Sequence, residues 1–293
     1  MNTHEMAVLI QLNHRNVVKL VGCCLETEIP IQVYEFVLSN GLLSERIRIH
    51  KSISGREILP WESRLRIASE IADAVTYIHT AAARPIIHRD IASHNIILDE
   101  RFVPRLFAFE LSLWIPLGET SVQTDCVRGT KGAMAPETWR TAIYTEKADV
   151  YDFGIILLEI LAGMSYCEML RTLDDIERRL DEMNSSSNSD NCNLQSTTLS
   201  VESRYGERVI QINLPEDYAI SDEEGRRLIL MANLFLEGRR EQQTACLELS
   251  FRCTKDNPEE RPMMEEVAKE LRRIRKFKIA NEVEHDKGDT SHV

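Results

Sequence analysis

Between Ile87 and Ser112 stand the residues best suited to chemistry: His88, Arg89 and Asp90 side by side, with Asn95 five positions after the aspartate. A carboxylate at Asp90 can act as general base toward a hydroxyl. The amide of Asn95 can lend an oxygen to a hard cation such as magnesium. Arg89 carries a permanent planar charge that suits a phosphate.

The flanking elements must hold that loop. Glu5 to Leu12 has apolar residues at a rough helical period, ended by Asn13-His14-Arg15-Asn16. Val17 to Cys24 and Ile31 to Val37 are β-branched runs on either side of Glu26 to Pro30, a hairpin-like pair. Ser39-Asn40-Gly41 is predicted to turn the chain. From Trp61 to Thr80 the apolar positions Leu65, Ile67, Ala68, Ile71, Ala72, Val75 and Ile78 recur at helical spacing and lead into the loop. Asp149 to Leu161 is apolar nearly all round, which marks a helix buried on every side. Asn184 to Ser200 is Ser/Asn-rich and reads as a disordered insertion. Glu223 to Leu236 and Arg240 to Cys253 read as helices, and Pro262 at a first-turn position opens a last one through Val267, Leu271 and Ile274. Ala280 to Val293 is a charged tail, and no internal repeat is present.

Composition sets bounds. With 293 residues, 43% hydrophobic and 28% charged, the chain can fill one large domain or two lobes. A formal charge of -12 argues against nucleic acid or anionic lipid as a partner of the whole chain. The seven cysteines form no C-x-x-C pair, which suits a reducing cytosol. No apolar run approaches the ~20 residues of a transmembrane helix, because Asp152 and Glu159 interrupt Val150 to Met164. Met1-Asn2-Thr3 begins neither a signal peptide nor a myristoylation site. The expectation is a soluble cytoplasmic protein, brought to the plasma membrane only through partners.

With His88-Arg89-Asp90 and Asn95, Ala135-Pro136-Glu137, Asp149 to Gly154 and Arg261-Pro262 in order, the chain resembles a protein kinase. Asn13 to Glu28 looks like plant wall-associated kinases. Leu111 to Glu119 looks more like the cytoplasmic ZED-related pseudokinases of plant immunity. The resemblance implies an α+β, protein-kinase-like fold: an N-lobe remnant of one helix and two strands over residues 1–36, a mostly helical C-lobe over 37–278 carrying the insertion near 184–200, and a tail from 279 to 293. It implies that Asp90 is the catalytic base, Asn95 a magnesium ligand, and Arg89 the partner of an activation-segment phosphate. Thr120, Ser121 and Thr124 would lie in that segment, and Thr130 in the substrate-facing turn. Tyr34 would be the gatekeeper, Glu35 to Val37 the hinge along the adenine of ATP, and Ile97 the floor beneath it. Glu5 would pair with a lysine. Glu137, Asp149 and Arg261 would be structural.

The departures decide what the resemblance is worth. Where the family has Asp-Phe-Gly, the text is Ala108-Phe109-Glu110, so the metal carboxylate is a methyl group and the flexible glycine is gone. Ala92 replaces the catalytic-loop lysine, and His94 offers at most a partial charge in its stead. The Gly-rich loop and the lysine would fall ahead of Met1, leaving the phosphates without a lid and Glu5 without a partner. Loss of one preorganised electrostatic element costs roughly 3 to 4 kcal/mol, a hundred- to thousandfold in rate. The chain is therefore expected to be a catalytically impaired adaptor or decoy, with ATP and magnesium weakly bound or absent. Its partners would be immune receptors of the nucleotide-binding leucine-rich-repeat class, kinases or pathogen effectors. The alternatives are a Ser/Thr kinase of the wall-associated type whose N-lobe lies upstream of this sequence, and a switch that binds ATP without transfer. With the N-lobe cut short, the hairpin is expected to leave a sheet edge open.

Overall fold

The computed structural model describes residues 3–48, 59–81, 84–186, 198–202, 209–213 and 239–277. The chain enters through helix α1 (Thr3–Leu9), which buries Val8 and Leu9. Strands β1 (Leu20–Cys24) and β2 (Ile31–Tyr34) follow, paired antiparallel with Leu20 opposite Tyr34 and Cys24 opposite Ile31. This two-stranded sheet leaves Val21, Ile31 and Val33 exposed. Its root is tied to the rest of the chain: the Val18 N–H donates to the Leu106 carbonyl at 2.9 Å, and the Leu106 N–H to the Asn16 carbonyl at 2.8 Å.

The predicted turn at Ser39-Asn40-Gly41 is instead strand β3 (Ser39–Leu42), antiparallel to Ile96–Asp99. Turn-forming residues act here as anchors. Ser39 Oγ donates to the Leu98 carbonyl at 3.2 Å and Asn40 Nδ2 to the Asp99 carbonyl at 3.0 Å. Gly41, at φ 104, absorbs the irregular register.

A short helix α2 (Leu43–Arg46) leads toward α3 (Trp61–Thr80), whose bounds match the sequence periodicity. Within α3, Arg64 lies in the core and saturates three carbonyls, donating to Leu59, Ile160 and Ile47 at 2.8 to 3.0 Å. Burial lowers its pKa to about 10. Beyond α3 come β4 (Ile86–Ile87), the Asp90 loop with a 3₁₀ turn at Ser93–Asn95, β5 (Ile96–Asp99) and β6 (Pro104–Leu106). The sheet order is β3-β5-β6, all antiparallel, and it supports the loop from below. Strand β7 (Leu113–Trp114) pairs with β4, while β8 (Val122–Gln123) pairs with β9 (Ile143–Tyr144) across helix α4 (Pro136–Thr141).

Helix α5 (Glu146–Ala162) is the buried helix that its composition predicts. Thr145 Oγ1 caps it by accepting the Lys147 N–H, and Gly163 ends it at φ 66. Helices α6 (Tyr166–Ser186), α7 (Arg240–Cys253) and α8 (Met264–Lys276) complete the helical body, with α3 packed on α8 and α5 on α7. Strands β10 (Thr198–Glu202) and β11 (Val209–Asn213) form a hairpin.

Two further sequence readings change. The Ser/Asn-rich stretch is ordered at both ends, since Asn184 to Ser186 close α6 and Thr198 to Ser200 open β10; its middle lies outside the described residues. Pro262 precedes the last helix instead of sitting in its first turn, because Met263 caps it and the Met263 N–H donates to Glu266 at 2.8 Å. The expected helix at Glu223 to Leu236 and the charged tail also lie outside the described residues. Among the described residues no single helix is long and apolar enough to cross a membrane.

Candidate functional site

The Asp90 loop is held from beneath by Asp149 of α5, which is fully buried. Its Oδ2 accepts the His88 N–H at 2.8 Å and its Oδ1 the Arg89 N–H at 2.9 Å, while His79 Nε2 donates to Oδ2 at 2.9 Å. Two backbone donors drawn to one carboxylate hold Arg89 in the left-handed region at φ 71, which a non-glycine residue avoids unless its surroundings compel it. The His88 ring donates from Nε2 to the Phe107 carbonyl at 3.0 Å, so its Nδ1 is the acceptor for the Asp90 N–H at 3.3 Å. Burial pushes the His88 pKa down, against the pull of Asp149, and keeps the ring neutral.

Both oxygens of Asp90 are engaged. Thr130 Oγ1 donates to Oδ1 at 2.5 Å, and Asn95 Nδ2 donates to Oδ2 at 2.7 Å and to the Asp90 carbonyl at 2.9 Å. The neighbouring turn needs Gly129, since a Cβ there would stand 2.8 Å from the Arg89 carbonyl at a φ of 138. The Arg89 guanidinium lies 4.0 Å above the Tyr144 ring and gives one bond to the Leu111 carbonyl at 3.2 Å. Its Nε and Nη2 are buried without a hydrogen-bond partner. Thr120 is exposed, Ser121 and Thr124 are half-buried, and the Thr124 hydroxyl donates to the Cys126 carbonyl at 2.9 Å.

Above the loop lies a cavity of about 550 Å³ lined by Glu5, Tyr34, Glu35, Val37, Ile97, Ala108 and Glu110 among others. Glu5, the expected partner of a lysine, is hydrogen-bonded within the described residues. Gln32 Nε2 donates to its Oε2, and the Tyr34 hydroxyl approaches its Oε1, both at 3.1 Å. Gln32, which the sequence reading passed over, is in place because alternation along β2 turns both side chains toward α1. Partial burial and then the charge of Glu5 push the Tyr34 phenol well above its ordinary pKa of 10. Glu35 pairs with Arg105 at 3.0 Å.

Ala108 sits at φ 67 and ψ 58 and presents a methyl group. Beside it, Asn95 has only its Oδ1 to offer, because its nitrogen is committed to Asp90. Among the described residues no three acidic, histidine or cysteine side chains converge as a metal site. Among the described residues no lysine, arginine or histidine lines the cavity. Its walls fit a flat apolar group, but these residues do not fit a magnesium-held triphosphate. Away from the cavity, Arg261 and Glu137 form a two-bond ion pair with the arginine side chain buried.

A family model for protein tyrosine and serine/threonine kinases matches residues 1–203. Among curated proteins, wall-associated receptor kinase-like 17 of Arabidopsis thaliana is 36% identical over 273 residues, covering 92% of this chain and 30% of the relative. Wall-associated receptor kinase 4 of the same plant is 35% identical over 294 residues, 99% of this chain and 34% of the relative. Wall-associated receptor kinase 3 is 49% identical over 160 residues, 55% of this chain and 21% of the relative. The chain thus spans about a third or less of these relatives' length. It belongs to the protein tyrosine and serine/threonine kinase family, as a wall-associated-kinase-like member of the protein kinase superfamily.

Proposed function

We propose that this chain is a kinase-like adaptor or decoy that does not itself transfer phosphate, acting in plant cell-surface or immune signalling. The observation that carries the reading is Ala108: an intact loop around Asp90 stands beside a turn with no carboxylate to hold magnesium. Phosphoryl transfer relies on metal ions to neutralise the developing charge, so a preserved base alone is insufficient. The reading treats residues 1–36 as N-lobe sequence, 37–278 as the C-lobe and 279–293 as a tail. It makes the working surface the activation segment from Thr120 to Thr130, where an immune receptor, a kinase or an effector would dock from the cytoplasm. The two orphaned nitrogens of Arg89 support a role for Thr120 or Ser121 as a site whose modification is sensed.

A second reading, a Ser/Thr kinase of the wall-associated type with ATP bound at the hinge, draws on the Thr130–Asp90 bond, which presents the base to the substrate-facing turn. Transfer from labelled ATP, with magnesium or manganese, separates the two. The adaptor reading expects no labelling of the chain or of a generic substrate above the Asp90→Asn control. Metal-dependent labelling abolished by that substitution overturns it.

A further inference from the structure

We propose that the cleft between the opening turns of α3 and the last turns of α8 binds a compact, soluble polyanion, a small molecule carrying two or more clustered phosphates. The cleft has a volume of about 530 Å³, far more than one phosphate fills, and is lined by Glu62, Ser63, Arg66, Arg272, Arg275 and Lys276. It adjoins the start of α3, whereas the Asp90 loop follows the other end of that helix, so the inference stands apart from the non-catalytic reading.

Four cations from two helices converge on one space. Two are fixed in place: Arg66 gives Nη1 to Glu70 and Nη2 to the Phe102 carbonyl, each at 3.1 Å, and Arg272 donates from Nη1 to Asp73. These carboxylates do not neutralise the cluster. Glu70 also accepts Arg15 at 3.3 Å, while Arg275 and Lys276, both exposed, have no ion pair among the described residues. With Arg15, five cations stand against the three carboxylates of Glu62, Glu70 and Asp73, an excess of two in a chain of formal charge -12. The α8 macrodipole accounts for cations in its last turn, but not for Arg66 reaching the same space from the start of α3. Along α8, Arg275 and Lys276 stand three and four positions after Arg272, a spacing at which like charges repel unless an anion lies between. Ser63 adds a hydroxyl and an N–H that have no hydrogen-bond partner among the described residues.

Clustered phosphates match this set better than other anions. Guanidiniums meet phosphate oxygens through paired N–H bonds, and a single carboxylate would leave most of these donors unused. No aromatic side chain lines the cleft among the described residues, so nucleobases have nothing to stack on. A concave site on an acidic chain also disfavours a flat anionic membrane, and Arg273 of the same helix is already occupied by Glu270 at 2.7 and 2.9 Å.

Isothermal titration of the 293-residue chain with inorganic tripolyphosphate and with inorganic phosphate, without magnesium, tests this. Tripolyphosphate is expected to bind about tenfold more tightly than phosphate, the difference narrowing as salt rises. Combining Arg275→Gln with Lys276→Gln should weaken tripolyphosphate about tenfold; its melting temperature should not fall, since both side chains are exposed and without ion-pair partners. Arg273→Gln, which removes a charge of the same helix outside the cleft, should change the affinity less than about twofold. No binding, equal binding of the two anions, or equal losses from Arg273→Gln and the double variant overturns the site. Phosphatidylcholine vesicles doped with phosphatidylinositol bisphosphate are expected to retain no more of the chain than plain vesicles. Retention abolished by the double variant would assign the phosphates to a lipid headgroup and overturn the soluble ligand.

Discussion

The Arg261 guanidinium meets the Glu137 carboxylate in a two-bond fork, Nη1 to Oε1 and Nη2 to Oε2, each at 2.7 Å. The same guanidinium donates to the carbonyls of Lys255, Lys147 and Asp256 and lies 4.9 Å above the Tyr151 ring. One side chain thereby ties α4, the start of α5 and the approach to α8 together. Arg261→Met is expected to cost about 3 to 5 kcal/mol, because a carboxylate and three carbonyls lose a buried donor. Urea denaturation measures it. Arg261→Lys should recover little, since an ammonium cannot reproduce the fork.

Gly154 lies where α5 comes close against the C-terminal end of α7. A Cβ there would stand 2.7 Å from Thr254 Cγ2, 2.8 Å from Cys253 Cβ and 3.2 Å from the Ser250 carbonyl. Gly154→Ala, stabilising in an ordinary helix, is expected here to destabilise by about 1 to 3 kcal/mol. Unchanged thermal stability would mean that the two helices separate more easily than this packing implies.

Ala108 gives the opposite sign. Its left-handed backbone costs an alanine roughly 1 to 2 kcal/mol, whereas glycine loses somewhat less through its freer unfolded chain. Ala108→Gly should therefore be neutral or stabilising by up to about 1 kcal/mol. A loss of stability comparable to glycine in a helix interior would show that the turn is not held as described.

Stability should respond to pH through two buried groups with opposite signs. Asp152 is raised well above 3.8, first by burial and then by the charges of Asp149 and Asp90, against the Ile91 N–H. Above that pH the unfolded chain releases a proton that the folded chain keeps, so Asp152 lowers stability as pH rises toward its folded value. His88 is depressed below 6.5 by burial, so below pH 6.5 the unfolded chain gains a proton that the folded chain refuses, and stability falls as pH falls. Asp152→Asn is expected to raise the melting temperature at neutral pH and to leave the acid-side loss from His88 in place. A variant less stable than the parent at neutral pH would contradict this.

The sequence by itself determined the elements with a strong local signature. The helical period from Trp61 to Thr80, the apolar run within Glu146–Ala162 and the order of short motifs around Asp90 are all written in neighbouring residues. The Ala108 substitution was legible for the same reason. What the tertiary structure decided lies in contacts between distant residues. Ser39-Asn40-Gly41 has the local chemistry of a turn, and only the waiting carbonyls of Leu98 and Asp99 make it a strand. Glu5 gained Gln32 and Tyr34 as partners because α1 lies against β2, a pairing that local sequence does not encode. The burial of Arg64 arises in the same way. Charge and hydrogen bonding act through space, so their outcome is fixed only when the fold brings the groups together.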